Sequence, residues 1–419
     1  MVAVEHVAFQ EAEKVMLAGG IPVYVMRLGT QEILRLEFIF SAGTASHPNP
    51  LVPSMANAML QEGTSKHTAA EIADGIDRFG AFLELDFDKD FASVTLYTLR
   101  RYFSQTLHWV VELLEDSTFP EPEWLIMQAN KLEKFRINCE KVSFLAGKQF
   151  QEMILSGTPY GAHFSEQDYL GITIEELREF RNKHYNLSDA LILLCGWADD
   201  EALSALSNAL SHISPSVDGF KQPNPPAYGE LLKPAKHYVE KADAIQSAIR
   251  IGRRLFTRHH ADYFPMKVLS TVLGGYFGSR LMSNIREDKG YTYGIGAGAL
   301  AYVSEGWFYI STEVGAEVTT DALREIYHEI KLLREELIPE EELSLVKNYM
   351  LGGLLKSFDG TFERMERVKG NLLYGLSNDY YTQYTEAILS TTPLQLRDLA
   401  NRWLVEEQLT ELVVGKRKS

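Results

Sequence analysis

A long internal repeat constrains the fold of this chain more than any other feature. The segment LLEDSTFPEPEWLIMQANKL resembles LLREELIPEEELSLVKNYML, and the two align on Pro120 and Pro339. Two further pairs, TIEELREFRNKHYN with TPLQLRDLANRWLV and ALILLCG with TELVVG, share the same offset (339 − 120, 397 − 178 and 415 − 196 each give 219). Three matches at one offset indicate two copies of one unit, and a period of this length indicates duplicated domains and not a solenoid.

Each copy combines strand and helix patterns. After Gly20, IPVYVMRL and LRLEFIF alternate like strands, and FLELDFDKDFASVTLYTL after Gly80 predicts a β-hairpin. Two long helical patterns follow, the second from Glu121 to about Ile154. Because strands and helices do not alternate one for one, the sequence predicts an α+β fold of two homologous domains, each an antiparallel sheet covered by helices.

A change of composition marks the boundary between the copies. The segment SPSVDGFKQPNPPAYGELLKPAK holds five prolines, which are incompatible with a helix interior or a central strand. We therefore predict an N-terminal domain over residues 1–213, a linker over 214–236 and a C-terminal domain over 237–419.

Charge and composition exclude several classes of protein. The net charge of -16 argues against sequence-independent binding of nucleic acid, which requires an excess of Lys and Arg. The two cysteines, Cys139 and Cys195, make neither a disulfide framework nor a Cys-based zinc site. The first residues lack a basic start followed by an apolar run, and no stretch of about 18 apolar residues follows. We expect no membrane segment and a cytoplasmic location.

Common catalytic motifs are also absent. No two histidines lie two, three or four residues apart, so the chain offers no local pair of His zinc ligands. The segment His163–Gln167 (HFSEQ) resembles a truncated zinc motif, but it follows a Gly- and Pro-rich loop, where its side chains do not share a helix face. GIGAG lies in a strand pattern and leads into no helix, which argues against a dinucleotide site.

The stretch GGYFGSRLMSNIREDKGYTYGIGAG (residues 274–298) concentrates residues with special roles. Arg286 and Tyr293 are predicted to form a site there, because a guanidinium and a phenol are good donors toward a developing negative charge. Gly290 allows a tight turn that brings a helix end and a strand start together. The alternative is an ordinary surface: Arg286 paired with Glu287 or Asp288, and Tyr293 half-buried in its strand.

Nearly the whole chain resembles the pitrilysin/insulinase-like zinc peptidases, or inverzincins, and within them the bacterial two-subunit branch. The resemblance is carried by SAGTASHPNP, LQEGTSKHTAAEIADGIDRFGAFLELDFDKDF, GTPYG, AIQSAIRIG and LGGYFGSRLMSNIREDKGYTYG, in the order of the family. It implies two duplicated α+β units joined by a linker, in agreement with the internal repeat.

The resemblance also implies that this chain has lost its zinc site. The H-x-x-E-H motif of the family falls on SMANAMLQEGT, where Ser54 and Ala58 occupy the histidine positions and Asn57 the position of the catalytic glutamate. Glu133 lies near the position of the third ligand, but one carboxylate does not hold zinc without the histidines. No cofactor is therefore expected in this chain.

The second-half landmark, in contrast, is intact. Arg286, Gly290 and Tyr293 match the family positions whose Arg and Tyr bind the substrate carbonyl and the oxyanion beside the zinc. The segment AIQSAIRIG resembles the edge strand of the family to which the substrate backbone adds, which implies substrate contacts at Ala244, Ile245, Gln246, Ser247 and Ala248. A core strand is the alternative for this segment.

Our leading hypothesis is a non-zinc subunit that supplies Arg286 and Tyr293 to a homologous, H-x-x-E-H-bearing and zinc-binding partner, in a heterodimer that hydrolyses peptides. The rival is a catalytically inactive homologue that serves as a scaffold or binds peptides. A zinc peptidase acting alone requires ligands that the sequence does not supply. When isolated, the chain is expected to self-associate through the surface meant for its partner, because both would share one fold.

Overall fold

The computed structural model describes residues 11–216, 219–224 and 232–417. The first half is built on a six-stranded sheet in the order β1-β2-β6-β3-β5-β4. Its strands are β1 (Glu13–Met16), β2 (Pro22–Arg27), β3 (Ile33–Phe40), β4 (Phe82–Phe87), β5 (Ala92–Leu99) and β6 (Leu191–Gly196). β3 lies inside the sheet between β5 and β6, and apart from its first residue it is buried throughout, since both faces of the sheet are covered.

Eight α-helices accompany this sheet in the described part of the first half. They are α1 (Leu51–Met59), α2 (Ala69–Asp77), α3 (Phe103–Asp116), α4 (Glu121–Cys139), α5 (Val142–Ile154), α6 (Glu166–Gly171), α7 (Ile174–His184) and α8 (Asp200–Ala209). The Thr68 side chain and Glu71 form a reciprocal capping box that starts α2. The predicted single helix from Glu121 to about Ile154 is wrong: it is interrupted at Glu140 and Lys141, which separate α4 from α5.

The second half is built on a five-stranded sheet in the order β7-β11-β8-β10-β9. Its strands are β7 (Lys236–Glu240), β8 (Gln246–Leu255), β9 (Thr292–Ala301), β10 (Gly306–Gly315) and β11 (Thr410–Gly415). Its α-helices are α9 (Tyr263–Ser270), α10 (Thr319–Glu335), α11 (Glu340–Lys356), α12 (Thr361–Tyr374), α13 (Tyr380–Ser390) and α14 (Pro393–Trp403). Two wider π-helical turns lie between α9 and β9, at Thr271–Gly275 and Met282–Asp288.

The predicted α+β class is confirmed, with one addition to the predicted sheets. Most strand pairs are antiparallel, but β2 pairs in parallel with β6, and β7 with β11. Each parallel pair joins the start of a half to its end, a long-range pairing that local alternation in the sequence does not reveal.

The offset of 219 residues recurs in the boundaries of the elements. Helices α4 and α11 begin at residues 121 and 340, α7 and α14 at 174 and 393, and strands β6 and β11 at 191 and 410, and each difference is 219. Helices α5 and α12 begin at 142 and 361 and show the same difference.

These last two helices are exchanged between the halves. Helix α12 packs Met365 and Val368 against the first sheet, in a cluster with Ile39 and Leu193. Helix α5 packs Phe150 and Ile154 against the second sheet, in a cluster that includes Leu412. Each half thus covers one face of the other's sheet, while its own helices cover the opposite face. The exchange positions the two halves against each other through apolar burial.

The predicted linker contains no helix or strand at residues 214–216, 219–224 or 232–235. Pro225 and Pro226, on which part of that prediction rests, lie outside the described residues. The domain boundaries stay predictions. Among the helices that the structure describes, none combines the length and apolar character needed to cross a membrane.

Candidate functional site

The predicted site residues lie on either side of one tight turn. Arg286 is in the π-helical segment Met282–Asp288, and Tyr293 is the second residue of β9. The turn between them is closed by two backbone hydrogen bonds, from Lys289 N to Asn284 O (3.0 Å) and from Tyr291 N to Ile285 O (3.0 Å). Gly290 has a φ of 66°, in the left-handed region that glycine adopts without steric cost. The turn therefore places the helix end beside the strand start, as the sequence predicts.

A second glycine allows the preceding turn to lie against β9. A Cβ on Gly274 would be 2.5 Å from the backbone nitrogen of Ala297, which is too close for any side chain. The absence of a side chain lets the π-helical turn Thr271–Gly275 pack directly on the strand. This packing carries the next residues, including Phe277, toward the start of β9.

The guanidinium of Arg286 lies against two aromatic rings. Its central carbon is 4.6 Å from the ring centroid of Phe277 and 5.5 Å from that of Tyr293. Both distances fall within the range of cation–π attraction, which here acts at exposed rings. Within the described residues, the Arg286 side chain has no hydrogen bond to an acceptor and no ion pair. Its N–H donors are therefore oriented by the rings and remain free for a ligand.

These observations contradict the alternative of an ordinary surface pair. Arg286 makes no ion pair with Glu287 or Asp288, although both are exposed neighbours in sequence. Tyr293 is 93% exposed and is not half-buried in its strand. A tyrosine that is exposed to this extent contributes little to packing, and the binding of a ligand or partner would explain its position.

Further exposed apolar side chains lie at the same end of the second sheet. Phe277 is 61% exposed and Ile245 is 86% exposed. The strand register places Gln246 beside Gly315 and Val314 beside Thr292, so Ile245 and Tyr293 flank one end of β10. We call Ile245, Phe277, Arg286 and Tyr293 the Arg286 patch. It combines a cation with exposed apolar surface, a combination typical of binding sites.

The predicted edge strand at Ala244–Ala248 is wrong. β8 is a central strand of the second sheet, because it pairs with β10 on one side and with β11 on the other. Ser247 and Ala248 are buried, and Gln246 pairs with Gly315. From Ala248 onward β8 has a partner strand on each side, so no free edge is left there for a substrate strand to join. Of the five predicted contact residues, Ile245 is the one whose side chain lies in the Arg286 patch.

The helix that aligns with the zinc motif carries structural side chains. The Ser54 hydroxyl donates to the carbonyl of Leu51 (2.8 Å), within α1. Asn57 is buried, and its side-chain amide donates to the hydroxyl of Tyr185 (3.1 Å), just beyond α7. Burial raises the pKa of that tyrosine well above its usual range, so the hydroxyl stays neutral. Asn57 therefore ties α1 to the end of α7.

This donor set does not fit zinc. Zinc requires deprotonated nitrogen, sulfur or carboxylate ligands, and Ser54, Asn57 and Ala58 supply none of them. Glu133 is exposed on α4. Across the described ranges, no three His, Cys, Asp or Glu side chains come together as a metal-binding group. The ring of His163, from the truncated motif, instead lies 3.1 Å from a carboxylate oxygen of Glu152.

A groove on the other side of the same π-helical segment is acidic. The groove measures about 910 Å³, and its walls include Glu325, Glu329 and Glu342. The Asn284 amide donates to Glu329 (2.7 Å) and to Glu325 (3.3 Å), which anchors the segment to α10. Arg286 thus projects from a helix that is fixed on its opposite side.

Sequence reasoning missed Phe277. The available signal was a large aromatic residue inside the small-residue run GGYFGS, where it had no evident core partner. Its contact with Arg286 joins residues nine positions apart, a spacing that the local pattern does not reveal.

The fold and the altered α1 define a peptidase-like chain without a zinc site at the position where the motif aligns. Comparison with known proteins leads to the same class: residues 171–350 match the family described as the peptidase M16 inactive domain. This match confirms the resemblance to the pitrilysin/insulinase-like peptidases over the matched part of the chain.

Relatives match over most of the chain. The "Uncharacterized zinc protease YmxG" of Bacillus subtilis is 24% identical over 348 residues, covering 80% of this chain and 82% of that protein. The "Non-peptidase homolog YmxG" of Helicobacter pylori is 22% identical over 385 residues, covering 90% of this chain and 87% of that protein.

Solved structures share the fold. A crystal structure of a peptidase M16 inactive domain from Pseudomonas fluorescens superposes with a TM-score of 0.84 at 23% identity, covering 97% of this chain and 99% of that one. A protease from Helicobacter pylori superposes with a TM-score of 0.86 at 17% identity, covering 96% of this chain and 99% of that one. The duplicated architecture is therefore shared over the full length of these proteins.

Proposed function

We propose that this chain is the non-zinc subunit of a heteromeric zinc metallopeptidase. In this proposal, Arg286 and Tyr293 bind the carbonyl oxygen of the substrate, and a homologous subunit with an intact H-x-x-E-H motif holds the zinc. One contrast carries the proposal. The α1 positions retain no zinc ligand, whereas the Arg286 guanidinium stands at the surface between two aromatic rings with its donors free.

The chemistry of the pair suits the attack of water on a peptide bond. A guanidinium is always charged and a phenol donates one hydrogen bond, so both stabilise the oxygen on which negative charge develops. In acyl-transfer sites, one such donor contributes about 2.7–4 kcal/mol to the stabilisation of the transition state. This contribution requires donors that are already oriented, and the Phe277 ring orients Arg286.

The exposure of the pair is the argument for a partner. Tyr293 is 93% exposed, so in the isolated chain water competes for its hydroxyl. Electrostatic stabilisation is weak in water and grows as water is excluded. A second subunit that covers the Arg286 patch would provide this exclusion, together with the zinc that this chain does not hold.

A complementation experiment tests the proposal. The chain, a homologue from the same organism with an intact H-x-x-E-H motif, and their mixture are each assayed on a quenched fluorescent peptide. We expect cleavage by the mixture alone, a heterodimer by light scattering, and zinc only in the homologue. If the isolated chain binds stoichiometric zinc and cleaves the peptide, or if the mixture cleaves no faster than the homologue, the proposal is wrong.

A second candidate function is a catalytically inactive homologue that binds peptides or serves as a scaffold. It is favoured by the exposed side chains of Ile245, Phe277 and Tyr293, which offer an apolar binding surface without any partner. It predicts that the isolated chain binds an apolar peptide, that Arg286→Ala weakens this binding, and that no H-x-x-E-H homologue is activated. Activation of such a homologue excludes it.

We also propose that the isolated chain self-associates. The same exposed apolar surface that would contact a homologous subunit is available to a second copy of this chain. Light scattering over a dilution series should show a monomer–dimer equilibrium that Phe277→Ser shifts to the monomer. Adding the zinc-bearing homologue should replace the homodimer by the heterodimer.

A further inference from the structure

A second pocket lies at a place that the proposed function does not use. It measures about 340 Å³ and is enclosed by the β4–β5 turn, helix α5 and the segment after α5. Its walls include Lys89, Phe144, Gly147, Lys148, Tyr160 and Phe164. None of its lining residues belongs to the Arg286 patch. Its volume is at the lower end of the range for small-molecule sites, about 300–1,000 Å³.

Lys89 brings a positive charge to this pocket without a counter-ion. Its ammonium donates one hydrogen bond, to the backbone carbonyl of Tyr160 (3.1 Å). An ammonium carries three donors, and within the described ranges no carboxylate lies in ion-pair distance of Lys89. Burial lowers the pKa of Lys89 to about 8, against the opposing effect of Glu152 and Asp90. A partly buried charge of this kind is costly unless something neutralises it.

The two nearby carboxylates are occupied by other groups. Asp90 accepts hydrogen bonds from the Tyr160 hydroxyl (2.6 Å) and from the backbone nitrogen of Val303 (2.9 Å). Glu152 forms an ion pair with Lys148, one turn earlier in α5, and a carboxylate oxygen of Glu152 lies 3.1 Å from the His163 ring. Lys148 is thus neutralised, and Lys89 is the cation of this pocket that has no carboxylate partner among the described residues.

The other walls of the pocket are partly polar, with Ser143, Gln151 and the Lys148-paired Glu152, and partly aromatic. Phe144 and Phe164 supply aromatic walls, and the Lys148 ammonium lies 4.6 Å from the Phe164 ring centroid. A Cβ on Gly147 would meet no atom within 4 Å. The space beside Lys89 therefore depends in part on the missing side chain at residue 147.

We propose that this pocket binds a carboxylate with an aromatic or aliphatic body, for which Lys89 is the counter-ion. The carboxylate oxygens accept the two remaining N–H groups of Lys89, and the body packs between Phe144 and Phe164. Two sources share this chemistry: a small free acid, and the C-terminal carboxylate of a peptide that ends in an apolar residue. The inference concerns residues of this chain alone and does not depend on a zinc-bearing partner.

Calorimetric titration of the isolated full-length chain tests the inference. The probes are phenylpropionate, its neutral amide, the tripeptide Gly-Gly-Phe with a free C-terminus, and the same tripeptide with an amidated one. A hydrogen bond to a charged group contributes about 1.5–3 kcal/mol, so each amide should bind about tenfold to a hundredfold more weakly than its acid. If phenylpropionate binds and Gly-Gly-Phe does not, the ligand is a small acid. If both bind, the pocket also accepts the C-terminus of a peptide.

Two variants and a control locate the binding. Lys89→Met removes the charge. It should weaken the binding of phenylpropionate by about the same factor by which the neutral amide binds more weakly than the acid. Gly147→Leu fills the pocket, keeps Lys89 and should also abolish binding, so the inference remains testable if Lys89→Met does not fold. Lys141→Met is the control, because Lys141 is exposed and bonds to Asn138 outside the pocket.

The inference is overturned by any of three results. The acids fail to bind at millimolar concentration, the amides bind as well as the acids, or a folded Gly147→Leu variant keeps the affinity of the parent chain. An unchanged affinity of Lys141→Met, together with the losses in the other two variants, supports it.

Discussion

A buried cluster of charges should contribute strongly to holding the two halves together. Arg35 and Glu37 on β3 lie opposite Glu366 and Lys369 on α12, the helix that the second half places on the first sheet. Glu37 is 2% exposed, and its carboxylate is bound by Arg35 (2.7 Å) and by Lys369 (3.0 Å). Burial acts to raise the pKa of the Glu366 carboxyl, but the charges of Lys369 and Arg35 hold this pKa below its usual value. We call these four residues the junction cluster.

The substitution Lys369→Met tests this cluster. At 3.0 Å and an effective dielectric constant of about 20, the attraction between Lys369 and Glu37 is about 5.5 kcal/mol before desolvation is subtracted. Removing one partner of a buried ion pair costs about 3–5 kcal/mol. Lys369→Met leaves Arg35 as the one cation facing both Glu37 and Glu366. Because Arg35 still contacts both carboxylates and the Glu366 side chain is 34% exposed, we expect the lower end, a loss of about 3 kcal/mol in the free energy of unfolding.

Urea denaturation followed by circular dichroism measures this loss. The matched control is Lys331→Met on α10, which breaks an exposed pair with Glu335 (3.8 Å) and should cost under about 1 kcal/mol. The double variant Glu37→Gln/Lys369→Met should recover part of the loss, because no uncompensated carboxylate is left buried. If Lys369→Met loses no more stability than Lys331→Met, the junction cluster does not join the halves as described.

Three further predictions concern single residues. Burial raises the pKa of Asp90 from 3.8 to about 6, so the folded chain keeps this proton to higher pH than the unfolded chain. Stability should therefore fall between pH of about 4 and 6, by up to about 3 kcal/mol, and urea midpoints across pH should show this decline flattened in Asp90→Asn. Gly290→Ala, at a φ of 66°, should lower the free energy of unfolding by about 1–2 kcal/mol. The control Gly294→Ala, whose Cβ meets nothing within 4 Å, should change it by much less. Equal melting temperatures of the two variants would contradict the strain argument. Asn57→Ala should lose about 1–3 kcal/mol in urea denaturation, because it leaves the Tyr185 hydroxyl buried without its donor, and an unchanged midpoint would refute this structural role.

Much of the fold is encoded in local patterns. The alternation in β3 and in the β4–β5 hairpin, and the prolines before α4 and α11, predict elements that the structure contains. The interruption of the helix at Glu140 was missed because neither Glu140 nor Lys141 is a helix breaker in sequence. The exchange of α5 and α12 was not predicted either, since it depends on contacts between residues more than a hundred positions apart.

The part of the candidate site that depends on residues close together in the sequence was predictable. The spacing of Arg286, Gly290 and Tyr293 places a helix end beside a strand start, and the structure has both. The segment Ala244–Ala248 was assigned to a sheet edge from its resemblance to the edge strand of the family. Its apolar alternation could not correct this assignment, because edge and central strands share that alternation. Only the order of strands in the sheet distinguishes them, and strand order is a tertiary property.

The central claim is that Arg286 completes an active site whose zinc lies in another subunit. Its most direct test is the kcat of the reconstituted heterodimer with Arg286→Ala in this chain, with zinc measured in the same samples. The account predicts a fall in kcat of about a hundredfold to a thousandfold at unchanged zinc content. Arg324→Ala, at an exposed ion pair on α10, should keep the parent kcat. Full peptidase activity of the Arg286→Ala heterodimer would contradict the account.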